Sequence, residues 1–163
     1  MNITLSKTRT VGRTLIIDAL LLCAICIVPT LSHLLSLPFY MLNPMTLCLL
    51  AGMLLVTDTR NAFMLAVLLP VVSMLISGMP APLKCVCMIV ELLTITGVYQ
   101  LTYKRYGSFL SILGAMICGK VVFYILKMLL ISPAVLIGTS IWIQLIVTVV
   151  FAVLFNRIHK IKQ

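Results

Sequence analysis

The chain has 163 residues, of which 63% are hydrophobic and only 9% charged. Soluble domains are nearer half apolar and a quarter charged, so this composition excludes an ordinary soluble globular protein and describes an integral membrane protein of one domain. A formal charge of +9, from 12 Lys and Arg against Asp18, Asp58 and Glu91, would suggest nucleic acid in a soluble protein; here most of it falls in short segments between apolar runs, where it sets topology and no nucleic-acid partner is expected.

Residues 1–13 are polar and basic, with Lys7, Arg9 and Arg13. The first apolar run covers residues 15–35. It is longer than the roughly 7–15 residues of a signal-peptide core, and no A-x-A pattern follows it. It therefore reads as a retained helix that Pro29 kinks or ends. Residues 37–43, with Pro38 and Pro44 near the ends, read as a non-helical connection.

The second run, residues 45–56, is short for a span of about 20 residues. It reaches further by starting near residue 40, or it tilts beside a re-entrant loop. A polar turn follows at residues 57–61, where Thr57 or Asp58 suits the N-cap of the next helix. The third run covers residues 62–77, with Pro70 inside it. A Gly/Pro turn at residues 77–82 leads into the fourth, residues 83–103. Lys104, Arg105, Tyr106 and Gly107 break it, Gly107 being a helix-stop residue. The fifth run covers residues 108–131 and is closed by Ser132 and Pro133. The sixth, about residues 136–155, is followed by a basic tail. The fold class is therefore all-α: a bundle of six transmembrane helices.

Charge tests that count. With six spans, Lys7, Arg9, Arg13, Arg60, Lys104, Arg105, Arg157, Lys160 and Lys162 share one side, and Lys84 alone occupies the other. Cytoplasmic loops carry the excess of Lys and Arg, so both termini are expected in the cytoplasm, in an inner (cytoplasmic) membrane. Five or seven spans would spoil the division.

Inside the spans, the carboxylate of Glu91 stands out. A charge at membrane depth costs about 2.5 kcal/mol or more unless it is paired or faces a polar cavity. At 1.5 Å per residue, Glu91 lies about 12 Å below the outer end of its helix, Lys120 about 16 Å and Lys127 about 6 Å. Lys84, Met88 and Glu91 form an i, i+4, i+7 stripe, as do Lys120, Tyr124 and Lys127. Facing each other, the stripes would make a cationic cavity open to the outside, suited to a carboxylate or phosphate. The same residues admit a structural reading. Lys84 and Lys127 can snorkel to headgroups, and a Glu91–Lys120 pair can lock two helices with no ligand.

Other candidates are Trp142 and Gln144 at the start of the sixth helix, and His33 and Asn43 around the first external connection. Trp142 also fits a plain interfacial anchor. Asp18, near Arg13 and Arg60, reads as part of a local ion pair at the cytoplasmic surface. The six cysteines mostly sit in apolar segments and lack the spacing of zinc ligands, so neither metal nor other cofactor is expected. No enzyme is expected. Asn61, Ala62 and Phe63 resemble the asparagine motif of lipoprotein signal peptidases, but that chemistry needs two aspartates sharing one site, and Asp18 and Asp58 fall on the cytoplasmic side.

A small six-span protein with short loops resembles the substrate-binding S components of energy-coupling factor (ECF) transporters. The likeness is carried by SGMPAPLKCVCMIVELLTITGVY, residues 77–99: a Gly/Pro external loop, then a helix with a mid-membrane Glu followed by small residues such as Gly97. Leu50, Ala51, Gly52, Met53 and Leu54 also look like the family's second helix. The resemblance implies capture of a vitamin or related micronutrient from outside, with Glu91, Lys120, Tyr124, Lys127, Lys84, Asn43 and Trp142 near the ligand. It implies docking on a transmembrane coupling protein with two ATPases, followed by toppling in the membrane. The family's docking helix often carries an A-x-x-x-A face; here only Ala19 and Ala24 appear, spaced by five. The alternative is a structural membrane scaffold resembling the rod-shape protein MreD, with similar size and span count and no soluble ligand.

Overall fold

In the computed structural model, residues 2–35, 43–56, 58–78, 80–130 and 141–162 are described. They form five α-helices: α1 (Asn2–Leu35), α2 (Pro44–Leu55), α3 (Thr59–Ser77), α4 (Pro82–Leu130) and α5 (Ile141–Lys162). No strand occurs among the described residues. The helix α1 begins well before the apolar run and continues past Pro29 to Leu35. Polar residues 2–10 are thus helical too. Most of the expected first connection, and the segment between the fifth and sixth runs, lie outside the described residues.

The helix ends follow local chemistry. Asn43 precedes α2 with φ 49°, ψ 62°, the left-handed region that Asn tolerates better than most side chains, and Pro44 takes the first helical position. Asp58 caps α3 by accepting from the Arg60 N–H at 3.1 Å, and Gly78 ends it at φ 66°. Inside the apolar helices, hydroxyls bond back to the carbonyl four residues earlier: Thr94 to Val90, Thr96 to Leu92, Thr102 to Val98 and Thr148 to Gln144, at 2.7–2.9 Å. That removes the cost of an unpaired hydroxyl away from water.

At Gly107 the backbone of α4 leaves the helix, with φ 75°, ψ 176°. Only glycine adopts this region without strain. The break divides α4 into limbs 82–106 and 108–130, about 37 and 34 Å long at 1.5 Å per residue. Lys120 meets Glu91 and Gly119 meets Ile95, so the limbs fold back as an antiparallel hairpin centred on Gly107.

Contacts set the direction of the other segments. The Thr59 hydroxyl donates to Gln100 Oε1 at 3.4 Å, Asn61 Nδ2 donates to Asp18 Oδ1 at 2.9 Å, and Tyr103 meets His159. The start of α3, the end of the first α4 limb and the end of α5 therefore share one end of the bundle. Leu55, which ends α2, joins them beside Gly12 and Arg13 in a shallow groove of about 650 Å³. Among the described residues, successive helical segments thus alternate in direction. Arg13, Arg60, Lys104, Arg105 and Arg157 gather at one end; Asn43, Gly78, Lys84 and Lys127 lie toward the other.

The core runs along the middle of this arrangement, with Leu49, Leu65, Ala66, Leu69, Leu92, Ile95, Ile112 and Ala115 buried. Close approaches occur where a side chain is missing. A Cβ on Gly52 would stand 2.5 Å from a Leu65 methyl and 3.3 Å from one of Leu21, which shows how tightly α2 nests between α3 and α1. The outer surface carries large apolar side chains such as Leu15, Leu20, Leu75, Leu101 and Leu129. Three helical stretches, Val11–Pro29, Thr59–Ser77 and Pro82–Leu130, are long and apolar enough to cross a membrane. Such helices and such a surface are what a membrane protein requires.

Candidate functional site

The seam between the two limbs of α4 brings the predicted charges together. Lys120 Nζ lies 2.6 Å from Glu91 Oε1. Glu91 is 3% exposed, whereas the Lys120 side chain keeps 16% of its surface open. At that distance the contact is a direct ion pair, and the buried Oε1 has a neutralising charge beside it. Lys120 Nζ also sits 5.5 Å from the centre of the Phe123 ring, a cation–π contact one turn along its own helix.

Why the seam is so narrow follows from the residue beside Lys120. A Cβ on Gly119 would stand 2.5 Å from Ile95 Cγ1 and 3.2 Å from the Glu91 carbonyl oxygen. Glycine lets the second limb press its backbone against the first at this level. Ile95, Leu92, Ile112, Ala115 and Met116 fill the space below with apolar surface. The pair therefore sits at the edge of an apolar, well-packed wall.

From Lys120, polar groups continue along the second limb. Tyr124, half-buried, donates its hydroxyl to Gln144 Oε1 on α5 at 2.7 Å, which ties the start of α5 to the seam. Lys127 follows, half-buried and near enough to the exposed Lys84 for their charges to repel. Lys84, Lys120 and Lys127 against Glu91 leave this half of the hairpin cationic. Asn43 is half-buried, and its backbone carbonyl accepts from Leu47 N at 3.2 Å as α2 begins. Trp142 lies in the first turn of α5, and His33 in the last turns of α1; the side chains of both fall outside the described ones. Ala19 and Ala24 are exposed on α1.

Some expectations change. Asp18 accepts from Asn61 instead of pairing with Arg13 or Arg60. Asp58 is spent as a helix cap, so the two aspartates serve separate tasks. A second cluster, at the basic end, went unread in the sequence. Tyr99, Tyr103, Phe155 and His159 pack ring on ring, with His159 stacked on Phe155 at 17°, Tyr103 tilted against Tyr99 at 5.4 Å and edge-on to His159 at 5.5 Å. The signal was there: Tyr99 and Tyr103 are i, i+4, as are Phe155 and His159. Among the described residues, no group of His, Cys, Asp and Glu is placed to hold a metal ion.

No protein-family model matches the chain, and neither the curated proteins nor the solved structures provide a match.

Removing one partner of a buried pair costs roughly 3–5 kcal/mol, because the other charge is left uncompensated. The more enclosed partner suffers more. Lys120→Met is therefore expected to destabilise by about 3 kcal/mol or more, Glu91→Gln by less, and the double variant by well under the sum. Thermal unfolding of the purified proteins checks this; additive losses would contradict the pairing.

Proposed function

We propose that the chain is a six-span membrane protein with both termini in the cytoplasm, acting as the substrate-binding subunit of an ECF-type importer. It captures a small anionic micronutrient from outside and passes it on through a shared coupling protein and ATPases. The observation that carries this reading is the cationic seam: a partly open Lys120 beside an enclosed Glu91, continued by Tyr124 and Lys127 toward the end opposite the basic cluster. Ionisable groups inside membrane spans usually mark pathways and sites.

Supporting the topology, Arg13, Arg60, Lys104, Arg105 and Arg157 share one end of the bundle, as the excess of Lys and Arg on cytoplasmic loops requires. The break at Gly107 supplies two limbs from α4, each longer than the roughly 30 Å hydrocarbon core. Supporting the family, residues 77–99 resemble the S-component pattern, with Gly78 and Pro82 at the loop and Glu91 in the helix. Ala19 and Ala24 are both exposed, though a spacing of five sets them on different faces of α1. Reporter fusions at each terminus, active only in the cytoplasm, are expected to signal at both; a silent terminus would overturn the six-span count.

A scaffold resembling MreD is the second reading. It is favoured by one observation, the direct Lys120–Glu91 contact, which neutralises both charges without a ligand. Extraction of the purified protein and mass spectrometry separate the two. The importer reading expects one small anion retained by the wild type and missing from Lys120→Met. Identical extracts from both proteins would favour the scaffold.

A further inference from the structure

We propose that Glu91 is a tethered stand-in for the ligand's acid group: in the empty protein its carboxylate occupies Lys120, and a carboxylate-bearing solute binds by taking its place. The inference rests on the binding reading above and assigns Glu91 a role opposite to that of a ligand contact. It competes with the ligand.

The pair is poorly suited to be a lock. Replacing a buried ion pair by apolar side chains is often neutral or stabilising, because the hydration lost on burial offsets much of the attraction. The limbs also have contacts that do not involve the pair. Gly119 seats them backbone to side chain on Ile95, and the apolar wall below holds them.

Exposure gives the direction of exchange. Lys120, not Glu91, presents open surface, 16% against 3%. An anion entering the seam therefore meets the cation first. It also meets a net positive surround from Lys84 and Lys127, and the Phe123 and Tyr124 rings, set edge to face at 5.7 Å, offer apolar surface for the body of the solute. Displacement leaves the Glu91 carboxylate without its cation, a cost that the contacts of the incoming acid group and its apolar body must offset. A single carboxylate on a compact, partly apolar body is the ligand class this arrangement fits.

Chemical rescue tests the idea without knowing the natural ligand. Glu91→Ala empties the position beside Lys120. Sodium acetate is then added to wild type, Glu91→Ala and Glu91→Ala/Lys120→Met, with sodium chloride at equal ionic strength as reference. Acetate is expected to raise the melting temperature of Glu91→Ala by several degrees, saturably, and to leave the other two where chloride leaves them. Should Glu91→Ala fail to fold, Glu91→Ser opens the same vacancy with a small hydroxyl against Lys120. Acetate acting no better than chloride on the folded variant would overturn the stand-in role and mark the pair as sealed. The binding reading would survive that result if the wild type still retained an anion lost in Lys120→Met.

Discussion

A carboxylate enclosed in apolar surroundings must have a cation beside it, and the hairpin of α4 is arranged around that requirement. Glu91 on the first limb can meet Lys120 on the second only if the chain reverses between them. Gly107 makes the reversal, in a backbone conformation other residues avoid. Gly119 then lets the limbs close to the distance at which Nζ and Oε1 touch. Two glycines and two charges thus define the centre of the molecule.

The remaining elements take their places from that hairpin. The first limb of α4 packs against α3, with Thr59 reaching Gln100, and α5 crosses both limbs, through Tyr124–Gln144 at one level and Tyr103–His159 at the other. α1 stands at the edge, largely uncovered, and is tied in by Asp18–Asn61 and by Leu21 over Gly52. The side chains are segregated by depth. Tyr99, Tyr103, Phe155 and His159 lie with basic side chains toward one end; Lys120, Tyr124 and Lys127 lie in the other half. On the proposed reading, one end faces the cytoplasm and the other receives the ligand.

Much of this was legible in the sequence because it depends on local chemistry or on simple periods. Gly107 stops a helix wherever its neighbours lie. Asp58 and Gly78 announce the ends of α3. Glu91 and Lys120, rare charges on adjacent apolar runs at similar depth, have few partners other than each other. What the sequence hid depends on helix rotation and approach. Asn61 rather than Arg60 reaches Asp18, because the side chain that faces α1 is set by packing and not by charge. Gln144 bonds Tyr124, and His159 joins the tyrosines, only once α5 is turned against α4. Gly119 stands out only with Ile95 in place, where a Cβ would stand 2.5 Å from its Cγ1. The start of α1 at Asn2 was missed since polar residues beyond an apolar run carry no hydrophobic period, although they continue a helix readily.

The account stands or falls on whether the seam receives a ligand. The most direct measurement is thermal unfolding of the purified wild type in detergent against a panel of carboxylate and phosphate vitamins and their precursors. A ligand at 100 times its dissociation constant stabilises the native state by about 2.7 kcal/mol, a readily measured shift. The account predicts that one compound bearing an acid group raises the midpoint of the wild type and leaves Lys120→Met unmoved. A panel that shifts neither protein, or a compound that shifts both equally, would contradict a site at Lys120 and leave Glu91–Lys120 as a structural pair in a scaffold.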